Sequence, residues 1–141
     1  MKKIFISSDH AGFKLKEAIK LHLSKKKLSF QDMGPNSDNR VDYPDFAHKV
    51  AKRVKSNKNS FGILVCGSGM GMNIAANRHK NIRAAQCFNL KSTKLSRLHN
   101  DANIITLGSR LLTKKTALSC VSVFLNTKFD GGRHLKRIKK I

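Results

Sequence analysis

Phe61-Gly62-Ile63-Leu64-Val65-Cys66-Gly67-Ser68-Gly69-Met70-Gly71 is the stretch on which the reading of this chain turns. Its first six residues are nearly all apolar, the pattern of a strand covered on both faces. The next five alternate glycine with other residues, and Met72–His79 then reads as a helix. A buried strand that runs through glycines into a helix is the repeating unit of an α/β fold. Glycines let the backbone approach a ligand closely, and amides at a helix start face negative charge. The spacing is GxGxG rather than the dinucleotide GxGxxG. No acidic residue follows about 20 positions later to hold a ribose, and the Lys-Ser/Thr of a P-loop is missing. By itself the loop denotes an anion site at a strand–helix turn, or a tight turn with close packing.

Toward the N-terminus, Lys3–Ser7 is a strand candidate, and Ser8 or Asp9 can cap a helix on which Leu15, Ala18, Ile19 and His22 share one face. Leu28–Asp32 is a weaker strand, 34–39 a turn-rich loop, and Pro44 is placed to open a helix over Asp45–Lys55. Toward the C-terminus, Ile82–Cys87 and Asn103–Leu107 read as strands, Lys91–Leu98 and Thr113–Leu125 as helices. The tail from Phe129 is basic and carries Gly131-Gly132-Arg133. The alternation predicts one domain over residues 1–141, with a parallel sheet and helices on both faces. Sites in such sheets lie at the carboxyl ends of the strands. Ser8-Asp9-His10, Cys66 to Gly71 and Gly108-Ser109-Arg110 should therefore converge.

Lys plus Arg number 29 against 8 acidic residues, a net charge of +21. The charge admits a nucleic-acid-binding domain as an alternative reading. However, the lysines are spread over the whole chain, aromatics are 6% and Trp is absent, which disfavours a dedicated nucleic-acid face. No apolar run approaches the roughly 18 residues that span a bilayer. Ile4-Phe5-Ile6 stops at Ser7-Ser8-Asp9, so Lys2-Lys3 does not begin a secretory leader, and a cytoplasmic location is expected. Cys66, Cys87 and Cys120 stand singly with no CxxC pair, which favours reduced thiols over disulfides. Cys and His are not clustered along the chain, so no metal site is expected, and His22, His48 and His79 read as isolated helix residues.

Among candidate chemical groups, Cys66 ends the strongest strand beside the glycine loop. A thiol near a helix N-terminus can ionise readily and serve as base or nucleophile. His99-Asn100-Asp101 precedes the last strand. Arg110, Arg133 and Arg137 offer planar donor forks suited to phosphate in a chain whose default cation is lysine.

Together, Ser8-Asp9-His10-Ala11-Gly12, Asp42-Tyr43-Pro44, Cys66 to Gly71, Ile74-Ala75-Ala76-Asn77, Leu98 to Asn103, Gly108-Ser109-Arg110 and Gly131-Gly132-Arg133-His134 resemble the type B ribose-5-phosphate isomerase family, in the family's order. That family also includes allose- and galactose-6-phosphate isomerases. The resemblance implies a Rossmann-like three-layer sandwich with a central five-stranded parallel sheet. It implies a homo-oligomer, dimer or tetramer, with the site at the subunit interface and the tail of about 129–141 contributing to that interface. The implied activity is interconversion of ribose 5-phosphate and ribulose 5-phosphate through an enediolate, without cofactor or metal; a six-carbon sugar phosphate is the alternative. Cys66 matches the proton-shuttling base and Ser68 the hydroxyl that moves the proton between substrate oxygens. Asp9 and His99 match the ring-opening pair. The amides of Gly67, Ser68, Gly69, Met70 and Gly71 match the anion hole, and Tyr43 and Asn100 match substrate contacts. His10, Arg110, Arg133 and Arg137 match the phosphate-binding set. Met72 stands where another branch of the family has a catalytic Glu, which places the chain in the Cys branch.

Overall fold

A computed structural model describes residues 1–141. The elements in chain order are β1 (Lys3–Ser8), α1 (Phe13–Lys25), β2 (Gln31–Asp32), α2 (Tyr43–Ser56), β3 (Ser60–Cys66), α3 (Met70–Ala76), β4 (Ala84–Gln86), α4 (Leu90–Asn100), β5 (Ile104–Gly108), α5 (Lys114–Asn126) and α6 (Arg133–Ile138). All strand pairs are parallel, in the order β2-β1-β3-β5-β4. Alternate residues of the central strand feed opposite layers, as the pleat requires. Ile63 and Val65 pack with Ile19 of α1 and Phe124 of α5. Leu64 and Cys66 pack with Val50 of α2 and Met72 of α3. The sheet is thus covered on both faces, which is why β3 reads as a continuous apolar run.

Several boundaries differ from the sequence expectation, each for a physical reason. α2 begins at Tyr43, not Asp45, because Pro44 fits inside the first turn, where its missing N–H costs nothing. β2 keeps two residues and β4 three, because only these register with a neighbour. α3 starts two residues early, at Met70. Asp9 does not cap α1 directly: its Oδ1 accepts the Gly12 N–H at 2.9 Å, closing the turn before the helix. The basic tail folds into the short helix α6. Beyond β4, Asn77 mimics a missing strand: its side-chain amide donates to the Ala84 carbonyl at 2.9 Å and its carbonyl accepts the Ala84 N–H at 2.8 Å.

The histidines expected to stand alone do not. His48 Nδ1 of α2 and His79 Nε2 lie 2.8 Å apart, and His22 Nε2 meets Ser122 Oγ at 2.7 Å. A shared proton requires at least one neutral ring in the first pair. Burial, then His48, Lys52 and Lys55, hold the His79 imidazole below its usual value. Burial, then Lys26 and Lys25, do the same for His22. Below about pH 6.5 the unfolded chain therefore binds more protons than the folded one, and stability declines as pH falls through that range. The expected result is a lower melting temperature at about pH 5.5 than at about pH 7.5. A calorimetric series in which His79→Asn flattens this slope checks the assignment; an unchanged slope removes it.

Candidate active site

The strand order reverses at β1: β2 lies on one side of it and β3 on the other. Ligand crevices open at the carboxyl ends of strands flanking such a switch. There the chain crosses itself tightly. A Cβ on Gly12 would sit 2.3 Å from the Val65 carbonyl oxygen, and one on Gly108 would sit 2.6 Å from the Ser68 carbonyl oxygen. Only glycine allows the turn after β1 to close against the end of β3, and the end of β5 to close against the loop after β3.

The result is a cavity of about 330 Å³ lined by Asp9, His10, Ala11, Tyr43, Cys66, Gly67, Ser68, Gly71, Arg110 and Leu111. The ends of the first, third and fifth strands converge as expected. Cys66 is 4% exposed, and its Sγ accepts the Gly69 N–H at 3.1 Å. Gly69 itself is held at φ +78°, a left-handed conformation that favours glycine. Ser68 Oγ accepts the Met70 N–H at 3.2 Å, which ties the hydroxyl to the start of α3. The amides of Gly71 and Met72, in the first turn of α3, have no intrahelical acceptor.

Around this floor stand the polar groups. Asp9 is 6% exposed and spends one oxygen on Gly12, leaving Oδ2 free of any partner within the chain. His10 Nδ1 accepts the Val41 N–H at 3.3 Å, so a neutral ring carries its proton on Nε2 as a donor. The Tyr43 ring covers Gly71 so closely that a Cβ there would lie 2.6 Å from it. The Arg110 guanidinium lies over Gly67 in the same way, and its backbone N–H donates to the Gly67 carbonyl at 2.9 Å. A neighbouring hollow shares Asp9, His10 and Tyr43 and adds Arg40.

The remaining expected residues lie elsewhere. His99 and Asn100 occupy the last turn of α4, at the amino edge of the sheet, where Arg83 Nε donates to the Asn100 carbonyl at 2.9 Å. Arg133 and Arg137 lie on α6, which packs on α4. Cys66 pairs with Gly108 at the carboxyl edge, whereas β5 starts at Ile104, about 13 Å away along the strand. Within one chain the expected site is therefore two half-sites at opposite edges of the sheet.

The second half-site also brings together groups that the sequence keeps apart. The His99 and His134 rings stack with centroids 4.2 Å apart. Ligand atoms of His99, Asp130 and His134 lie within 4.8 Å of one another, a cluster that chain spacing does not reveal. Burial, then His99, Arg133 and Arg137, push His134 below the usual imidazole value. Arg133 and Arg137 stand beside these rings, and two guanidinium groups there suit an anion better than a cation.

Comparison with known proteins agrees over the full length. The family described as Ribose/Galactose Isomerase matches residues 4–141. The chain is 42% identical over 141 residues to ribose-5-phosphate isomerase B of Escherichia coli, covering 100% of this chain and 95% of that protein. Ribose-5-phosphate isomerase B of Clostridium thermocellum superposes with a TM-score of 0.96 at 46% identity, covering 98% of this chain and 93% of the other. That of Mycoplasma genitalium, solved with bound ribulose 5-phosphate, gives 0.95 at 45% identity, covering 99% and 93%. Agreement this close, in sequence and in backbone from end to end, makes the chain a member of the ribose/galactose isomerase family.

Proposed function

We propose that Cys66 is the base of an aldose–ketose isomerase that interconverts ribose 5-phosphate and ribulose 5-phosphate. The observation that carries this is the Cys66 sulfur, held by the Gly69 amide on the floor of a cavity that also presents Ser68, Asp9, His10, Tyr43 and Arg110. Isomerisation needs a base at the carbon beside the carbonyl, fixed donors for the oxyanion that develops, and a clamp on the phosphate.

Asp9 and His99 open the sugar ring by moving a proton between the ring oxygen and the anomeric hydroxyl. The Cys66 thiolate then takes the proton from carbon 2. The amides of the loop from Gly67 to Gly71 receive the enediolate oxygens, and the Ser68 hydroxyl passes a proton between them. Returning the Cys66 proton to carbon 1 completes the ketose. Tyr43 and Asn100 contact the sugar, while His10, Arg110, Arg133 and Arg137 hold the phosphate. The three free thiols fit a reducing cytoplasm, and no helix is long and apolar enough to cross a membrane.

This assignment requires the two half-sites to meet, and a second copy of the chain supplies the missing one. His99, Asn100, Arg133 and Arg137 of one subunit complete the cavity of its neighbour in a dimer or tetramer. The test uses Cys66→Ser and His99→Ala, each inactive alone on ribose 5-phosphate. Subunits exchanged at equal ratio give mixed dimers in which one of the two sites is intact, so about a quarter of the wild-type rate returns. No recovery on mixing shows that both residues act from one chain. A higher rate on allose 6-phosphate than on ribose 5-phosphate overturns the five-carbon assignment.

A further inference from the structure

Gln86 ends the edge strand β4, half-buried on the same side of the sheet as α3. Its side-chain Nε2 donates to the Ser68 carbonyl at 2.5 Å. That carbonyl belongs to the same peptide unit as the Gly69 N–H, and the Gly69 N–H donates to Cys66 Sγ at 3.1 Å. In a trans peptide the C=O and N–H point in opposite directions and move as one rigid plane. One plane is therefore pinned at its oxygen by Gln86 and aimed through its hydrogen at the sulfur. The plane has little other freedom. The Ser68 oxygen lies against Gly108, and Gly69 sits in the left-handed region, where the loop can turn in few ways.

We infer that Gln86 is a positioning residue for Cys66, acting through the Ser68–Gly69 peptide to hold a hydrogen-bond donor on the sulfur. This rests on the reading of Cys66 as the base. A donor at the carbonyl oxygen polarises the amide and strengthens its N–H as a donor, because linked hydrogen bonds reinforce one another. A thiolate gains more from such an N–H than a thiol does. Gln86 thus favours the ionised sulfur from one peptide away without touching sulfur or substrate. Neighbouring contacts complete the frame: Ser109 and Arg110 backbone N–H groups donate to the Cys66 and Gly67 carbonyls at 2.8 and 2.9 Å, and Asn73 Nδ2 donates to Thr106 Oγ1 at 3.1 Å beneath the loop. Of these groups, Gln86 is the one that reaches the Ser68 carbonyl with a side-chain donor.

The test replaces Gln86 by Met, which keeps the length and removes the donor, and by Leu as a second variant of different shape. Cys66 alkylation by iodoacetamide is followed against pH, with the matching Cys66→Ser protein subtracted as background. That background is low, because Cys66 lines the open cavity whereas Cys87 and Cys120 do not, and burial pushes the Cys87 thiol up. At neutral pH the alkylation rate of Gln86→Met is expected to fall about three- to tenfold, with the whole profile displaced to higher pH. The same factor is expected in kcat on ribose 5-phosphate, with KM unchanged, since Gln86 does not line the cavity. An alkylation profile identical to wild type in both variants overturns the inference. The alkylation readout does not use catalysis, so it separates the two claims. If Cys66→Ser stays active while Gln86→Met still displaces the profile, the reading of Cys66 as base fails and the positioning of its sulfur stands.

Discussion

Cys66→Ser is expected to lower kcat on ribose 5-phosphate by about 10²–10⁴-fold, the usual contribution of a positioned base. The Ser hydroxyl keeps an acceptor for the Gly69 N–H, so the loop stays closed, but it does not ionise near neutral pH. Cys66→Ala removes the base as well and leaves the Gly69 amide without its partner, at a further cost in stability of about 1 kcal/mol. The two variants should lose activity alike and differ only in melting temperature. Proton exchange between carbon 2 of the substrate and solvent, followed by NMR, isolates the step. Wild-type exchange in either variant would show that another group takes the proton. The phosphate contacts should be untouched, so KM should change little.

The second large effect is on stability and centres on a lysine. Lys16 is 0% exposed, on the inner face of α1. Its ammonium donates to both oxygens of Asp32 at 2.9 and 3.1 Å and to the Pro35 carbonyl at 2.6 Å, so all three donors are used. Burial pushes the Asp32 carboxyl up, yet hydrogen bonds from Lys20, Lys16 and the Gly34 amide outweigh it and hold the group below the usual carboxylate range. Asp32→Ala leaves the Lys16 ammonium buried with Glu17 at 3.7 Å as its nearest carboxylate. Stranding a buried charge costs about 3–5 kcal/mol, which for a chain of this size lowers the melting temperature by about 10–20 °C. Adding Lys16→Met should recover much of the loss, because the double variant buries no unpaired charge. If the double variant is no more stable than Asp32→Ala, the pair is not the origin of the effect. In the wild type the Asp32 contribution is present above about pH 3.9 and is lost as pH falls below it.

Lys16 also marks where sequence reading stops. Beside Leu15 in an amphipathic pattern, a lysine reads as a surface residue. What buries it is Asp32 arriving from β2, a pairing between a helix and the edge strand after it that no local pattern records. The same holds for His99 and His134, stacked from opposite ends of α4 and α6, and for Gln86, one polar residue in an apolar strand whose partner lies in the glycine loop. By contrast, β3, its glycine loop and the convergence of three strand ends were legible. Burial on both faces leaves an unbroken apolar run, and close backbone crossings admit only glycine. The split of the expected site was legible only in part. Motif order names the candidates, but only the ending of α4 at the amino edge of the sheet shows that His99 lies at the opposite border from Cys66 of the same chain.

Asn77 bears on how this chain survives at high concentration. A parallel sheet that ends in a bare strand offers its outward N–H and C=O groups to any other chain, and open edges of this kind nucleate aggregates. In β4, three residues long, those of Ala84 are taken by the Asn77 side chain. At the opposite border, β2 is only two residues long. Neither border presents a run of free backbone long enough to template a further strand. A net charge of +21 adds mutual repulsion between copies. Copies are thereby steered away from edge-to-edge stacking, and self-association is left to side-chain surfaces.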